Sequence, residues 1–169
     1  KDPGSDVPRY QFGIVNRFED FCSLQQAKEE ETSLSRMTAG FAWKWETKTN
    51  KDAFDIVIEG IRKRWNSTQK DWVNSVNAVN EVGCIHTVQG YDLNYGFVIL
   101  GPDIYYDNDK GGVCVNKANF KDTVAKKKAS DDDLRKIIVN AYYVLMTRSM
   151  LGTFLYVCDP ALKEYLSRY

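Results

Sequence analysis

The strongest constraint on the fold is the alternation of apolar strand-like runs with helix-like segments, clearest in the last third of the chain. Ser130 and Asp133 have capping-box spacing, and Asp131 to Asp133 suit the positive end of a helix dipole. Leu134, Ile137, Ile138, Ala141, Tyr142, Leu145 and Met146 form a wide apolar stripe, which predicts a mostly buried helix stopped by Gly152. Thr153 to Cys158 then reads as an apolar strand. Pro160 suits a helical first turn and opens a closing helix over Ala161 to Tyr169. Strands alternating with helices predict a mainly parallel sheet covered on both faces, an α/β fold.

The upstream sequence repeats this pattern less clearly. Tyr10 to Val15 alternates like a strand. Asn16 and Glu19 have capping-box spacing, and Phe18, Phe21, Cys22 and Gln25 predict an amphipathic helix from Arg17 to about Glu30. Met37 to Trp43, Val82 to His86 and Phe97 to Leu100 read as strands, the last ended by Gly101-Pro102. Glu46 to Asp52 is loop-like, and Phe54 to Ile61 fits a strand or a short helix equally well. Asn108 to Gly112 between β-prone flanks predicts a hairpin over Tyr105 to Val115, and Lys117 to Lys128 reads as an exposed basic stretch. Lys1 to Pro8, rich in Pro, Gly and Asp, reads as a linker, leaving residues 9–169 as one domain.

Composition narrows the function classes. No apolar run approaches the ~20 residues of a bilayer span, and Lys1 to Arg9 lacks the apolar core of a secretory signal, so the expected location is the cytoplasm. Basic and acidic residues number 23 each, so any nucleic acid must be met by local patches, not by an overall field. Cys22, Cys84, Cys114 and Cys158 are scattered and His86 is the one histidine; no zinc spacing exists and no metal site is expected.

Three regions carry candidate chemistry. CIHTVQGYD (Cys84 to Asp92) and YVLMTRSMLGTFLYV (Tyr143 to Val157) each place polar residues where a strand meets another element, as ligand sites of parallel sheets do. Gly90 would admit close backbone approach, and Arg148, past a buried helix, could grip a phosphate bidentately. The plainer readings are a turn at Gly90 and a helix-dipole partner at Arg148. Cys84 and His86 share a strand face, but no third group is evident to complete a nucleophilic dyad. In the third region, Arg62 to Trp72, the basic residues Arg62, Lys63, Arg64 and Lys70 interleave with Trp65 and Trp72, which suits a nucleic-acid backbone and its bases as well as a protein interface.

Together the first two regions resemble superfamily-1 helicase motifs V and VI. Against motif V (Thr, hydrophobic, His, two residues, Gln or Lys, Gly, one residue, Glu), Ile85, His86, Gln89 and Gly90 match, while Asp92 replaces Glu and Cys84 replaces Thr. Against motif VI, Tyr143, Val144, Thr147, Arg148 and Gly152 match, with Ser149 for Ala and Met150 for a common Lys. From about Arg36 onward the chain also resembles the bacterial Schlafen group 3-like DNA/RNA helicases, P-loop ATP/GTP-binding proteins. AGFAWKW, RWNSTQKDW, NEVGCIHTVQGYDLNYGFVILGPD and LMTRSMLGTFLYVCDPALKEYL carry that likeness.

The resemblance implies a RecA-like three-layer α/β/α domain, the C-terminal half of a nucleic-acid-dependent ATPase. Arg148 would be the catalytic arginine finger, with Gln89, Gly90, Asp92 and Thr147 lining the nucleotide cleft. His86 and Thr87 would face DNA or RNA, joined by Arg62, Arg64 and Trp65. Asp92 is one methylene shorter than the usual Glu, so its reach to a ribose is reduced. No G-x-x-x-x-G-K-[ST] occurs, so ATP with magnesium would be held by a P-loop domain upstream in the same polypeptide, and this chain alone would not hydrolyse ATP. The two motif segments should converge at one edge of the sheet, with Arg148 exposed and unpaired by any buried carboxylate. Two other readings compete: an ATP-driven switch that binds a protein partner without translocating, and a free-standing binding domain.

Overall fold

The computed structural model describes residues 9–169, apart from the side chain of Asp131. The chain runs through β1 (Gln11–Ile14), α1 (Phe18–Thr32), β2 (Ser35–Ala39), β3 (Ile56–Ile58), β4 (Ile61–Lys63), β5 (Val82–Cys84), β6 (Leu93–Leu100), β7 (Ile104–Asp107), β8 (Gly112–Val115), α2 (Thr123–Lys128), α3 (Asp131–Met146), β9 (Ser149–Val157) and α4 (Pro160–Leu166). Five strands form one sheet in the order β1-β9-β6-β2-β5, every neighbour parallel. The hairpins β3-β4 and β7-β8 stand outside it.

Period-two alternation along β6 sets the layers. Phe97 and Ile99 join Phe18 and Phe21 of α1 in one buried cluster, while Val98 and Leu100 join Leu134, Ile138 and Leu145 of α3 in the other. Helices therefore cover both faces of an all-parallel sheet, the arrangement of a RecA-like α/β/α fold. The expected stripe on α3 holds except at Ile137, which is 41% exposed. Ser130 caps α3 as expected, its hydroxyl accepting from the Asp133 N–H at 3.3 Å; the dipole role of Asp131 falls outside the described side chains. The expected linker Lys1 to Pro8 lies outside the described residues.

Several boundaries differ from expectation, each for a local reason. The Asn16–Glu19 capping box does not form; Arg17 is the cap residue without a side-chain bond, and the Phe18 N–H donates 2.8 Å to Glu59 Oε2 on the β3-β4 turn. The undecided stretch from Phe54 is that hairpin, its tip made by Glu59 (φ 49°) and Gly60 (φ 81°). β2 ends at Ala39, short of Trp43, and β5 ends at Cys84 in a 3-10 turn over Ile85–Thr87. The basic stretch before α3 contains α2, capped by Asp122, whose Oδ1 accepts from Val124 and Ala125.

Gly152 does not stop α3. The helix ends at Met146, where Thr147 Oγ1 turns back onto the Tyr143 and Val144 carbonyls, each at 3.1 Å. Gly152 instead sits inside β9 between β1 and β6, where a Cβ would come 2.6 Å from the Gln11 carbonyl oxygen. Close strand packing is what requires glycine there.

Candidate functional site

Strand register separates the two ends of the motif V segment. Cys84 pairs with Ala39, and Ala39 pairs with Ile99, so Cys84 lies level with the carboxyl end of β6. Leu93 begins β6, six residues earlier, or about 20 Å lower at ~3.3 Å per residue. Residues 85–92 therefore run down a face of the sheet and do not gather at one edge. The expected convergence is corrected in this respect: Asp92 reaches the Arg148 side, while Cys84 to Thr87 stay at the opposite end.

Asp92 and Arg148 are brought together by pairing at the amino ends of β6 and β9. Leu93 registers with Ser149, and the Leu93 N–H donates 2.8 Å to the Arg148 carbonyl. The residues preceding that pair enter the same turn region, at the end of the sheet opposite to where ligands of parallel α/β folds usually sit. Arg148 is half-buried, not fully exposed as expected; its Nε is buried without a hydrogen-bond partner, and no carboxylate among the described residues pairs with it. A buried unpaired donor of this kind is rare and calls for a ligand, a water or a functional reason.

Thr147 is exposed and ends α3 one residue before Arg148. Gln89 lines a cavity with His86 and Asp103, beyond the carboxyl ends of β5 and β6, and with Asn140, Ala141 and Val144 of α3; Arg148 does not line it. Gly90 has φ +83° with open space where a Cβ would be, so its conformation, not crowding, favours glycine.

The residues expected at nucleic acid divide. His86 is exposed, its ring 5.8 Å from that of Phe41. Thr87 is 2% exposed and its hydroxyl donates 2.8 Å to the Cys84 carbonyl, so it serves the 3-10 turn and faces no solvent. Trp65 is 1% exposed and lies between Phe41 and Trp45, with centroids at 6.0 and 5.6 Å. Having no free ring face, it acts in the core and not as a stacking platform. Arg62 and Arg64 are exposed over the Phe54 ring, and Arg64 Nε also donates 2.9 Å to the Ala53 carbonyl. Cys84 is buried while His86 points to solvent, so no nucleophilic dyad forms.

Sequence reasoning missed a groove of about 790 Å³ beside His86, at the carboxyl end of β5. Lys44 and Lys48 line it from the segment after β2, and Lys121 and Lys128 from the region of α2, with Trp43 and Trp45 on its wall. The available signal was the Trp-Lys-Trp run at residues 43–45.

A second missed feature lies under the smaller cavity of about 250 Å³. The Tyr142 hydroxyl accepts from the Gly101 N–H at 3.0 Å and donates to Asp103 Oδ1, leaving Asp103 Oδ2 buried without a partner. Burial raises the Asp103 carboxyl to about 6, partly offset by the Tyr142 hydroxyl. An unfolded aspartate titrates near ~3.9. The folded state thus holds this proton more tightly, so the group's contribution to stability is complete below about pH 4 and is lost as pH rises through 6. Asp103→Asn is expected to flatten melting temperature across that window, removing a loss on the order of 3 kcal/mol at most. An unchanged wild-type slope between pH 4 and 8 would refute it.

The Schlafen group 3, DNA/RNA helicase domain family model matches residues 1–159. The chain belongs to that family. It is also 35% identical over 127 residues to the uncharacterised protein YPL245W of Saccharomyces cerevisiae, an alignment covering 70% of this chain and 28% of the yeast protein. The chain thus spans under a third of that relative's length. No solved structure matches. Membership in a DNA/RNA helicase-domain family points to a helicase-like, nucleic-acid-related role. No described helix is long and apolar enough to cross a membrane.

Proposed function

We propose that this chain is the C-terminal RecA-like half of a nucleic-acid-dependent ATPase, reaching with Arg148 into a nucleotide cleft formed with a P-loop domain upstream in the same polypeptide. The observation that carries this reading is the half-buried, unpaired Arg148 beside Asp92 at the amino ends of β6 and β9. A guanidinium held there without a counterion suits charge that arrives with a phosphate. Gln89, Gly90, Asp92 and Thr147 complete this side of the cleft. Tyr143 and Met150 flank Arg148 in sequence and are 63% and 58% exposed, which suits packing against a second domain.

The sequence contains no G-x-x-x-x-G-K-[ST] motif, and the described residues include no cluster of three His, Cys, Asp or Glu able to hold a metal. ATP and magnesium are therefore assigned mainly to the upstream domain, and this chain contributes Arg148 to the phosphates. The setting is a reducing cytoplasm, consistent with four free cysteines.

Two measurements test the reading. The complete polypeptide should hydrolyse ATP faster when DNA or RNA is added, and calorimetry should find no tight ATP binding by the 169-residue chain alone. Low-micromolar ATP binding by this chain would overturn the division of labour. ATP hydrolysis indifferent to nucleic acid but accelerated by a protein would favour a switch that binds a protein partner.

A further inference from the structure

We propose that the groove between the Phe41–Lys48 segment and α2 binds single-stranded nucleic acid, with lysines on the backbone phosphates and bases on the Trp43 and Trp45 rings. The inference rests on the nucleic-acid part of the function above and names the site and the form of the strand. Four lysines line the groove against one carboxylate, Asp122. That carboxylate is already engaged, its Oδ1 accepting from the Val124 and Ala125 amides at 2.9 and 3.0 Å. Lys44 pairs with Glu46 at 2.7 Å, but both are exposed, and a pair of that kind is weak enough for a phosphate to displace.

The aromatic wall is what distinguishes a nucleic acid from a generic polyanion. Trp45 is anchored on buried Trp65 at 5.6 Å, and Trp43 packs near Gly101, so both rings are held from behind while remaining half-exposed. The Lys48 ammonium sits 4.3 Å over the Trp45 ring and covers its outer face, so a base takes that face as the exposed Lys48 swings onto a phosphate, while Trp43 carries no such cation. Exposed His86, beside Phe41, closes the end nearest β5. Charge that tracks a backbone, interleaved with rings that take bases, is the pattern of single-strand binding. A duplex hides its base faces in the stack and could use the lysines alone.

The test uses the complete polypeptide without nucleotide, and fluorescence anisotropy of labelled oligo(dT) and oligo(U). The double variant Lys48→Glu with Lys128→Glu alters two exposed positions, so folding is not at stake. It should weaken binding about tenfold or more, and flatten the salt dependence by about 1.4 logarithmic units for two lost phosphate contacts. Arg17→Ala with Arg168→Ala, exposed and outside the groove, should bind like wild type. A 4-thiothymidine- or 4-thiouridine-substituted oligonucleotide should crosslink to the peptide holding Trp43 and Trp45.

Wild-type affinity in the Lys48/Lys128 variant, crosslinks confined to other peptides, equal affinity for a duplex, or equal competition by polyglutamate would each overturn the assignment. Because no nucleotide is present, such a failure leaves the Arg148 reading intact. Loss of nucleic-acid-stimulated ATPase with normal oligonucleotide binding would do the reverse.

Discussion

Arg148→Ala in the complete polypeptide is expected to lower ATP turnover about a thousandfold while leaving ATP affinity and melting temperature near wild type. An arginine finger acts on charge that develops in the transition state, so its loss appears in turnover more than in ground-state binding. Stability should change little because the guanidinium has no ion-pair partner among the described residues and its Nε is already unsatisfied. Arg148→Lys should recover only a small part of the activity, since an ammonium cannot reproduce the planar fork. A helix-end role predicts the opposite: a stability loss of ~0.3–1 kcal/mol with normal turnover. Turnover number and melting temperature measured on both variants decide between them. Wild-type turnover in Arg148→Ala would remove the main support for the cleft.

Much of the fold was readable because the last third of the chain obeys simple periodicities. The α3 stripe, the Ser130 cap, the Asn108 to Gly112 hairpin and Pro160 at a helix start all appear in the structure as the sequence implies. The stretch from residue 46 to 81 was not readable, since its order comes from buried carboxylates and not from a repeating pattern. Asp55 accepts from the Thr47 amide, the Thr47 hydroxyl and the Trp65 amide, all at 2.8 Å. Glu81 accepts from the Ser67 amide and the Trp72 indole, both at 2.9 Å. Such anchors join residues about ten apart and leave no trace in hydrophobic spacing.

The candidate site shows the same division. The motif pair singled out Asp92 and Arg148, which strand pairing does bring side by side. Which end of the sheet they occupy depends on register, which one-dimensional spacing does not contain. The groove joins lysines near residues 44 and 121, more than seventy positions apart, and only the folded chain brings them together.

Trp65→Ala is expected to destabilise the protein by about 3–5 kcal/mol, through lost burial and the cavity left behind. For a domain of this size that is a fall in melting temperature of roughly 10 °C or more. Trp65 is 1% exposed, bridges in parallel to Val82 and packs with Ile56, Val82 and Ile99, so its neighbours come from several elements and cannot all collapse inward. Its indole Nε1 is buried without a partner. Trp65→Phe therefore loses volume but no hydrogen bond, and should retain most of the stability. The role first read from the sequence, a ring stacked on a base, makes the contrary forecast: Trp65→Ala would weaken oligonucleotide binding while melting like wild type. The groove charge reversals at Lys48 and Lys128 provide the comparison, since they should reduce affinity and leave melting temperature unchanged. A Trp65→Ala protein with normal melting and impaired binding would move Trp65 out of the core and into the nucleic-acid surface.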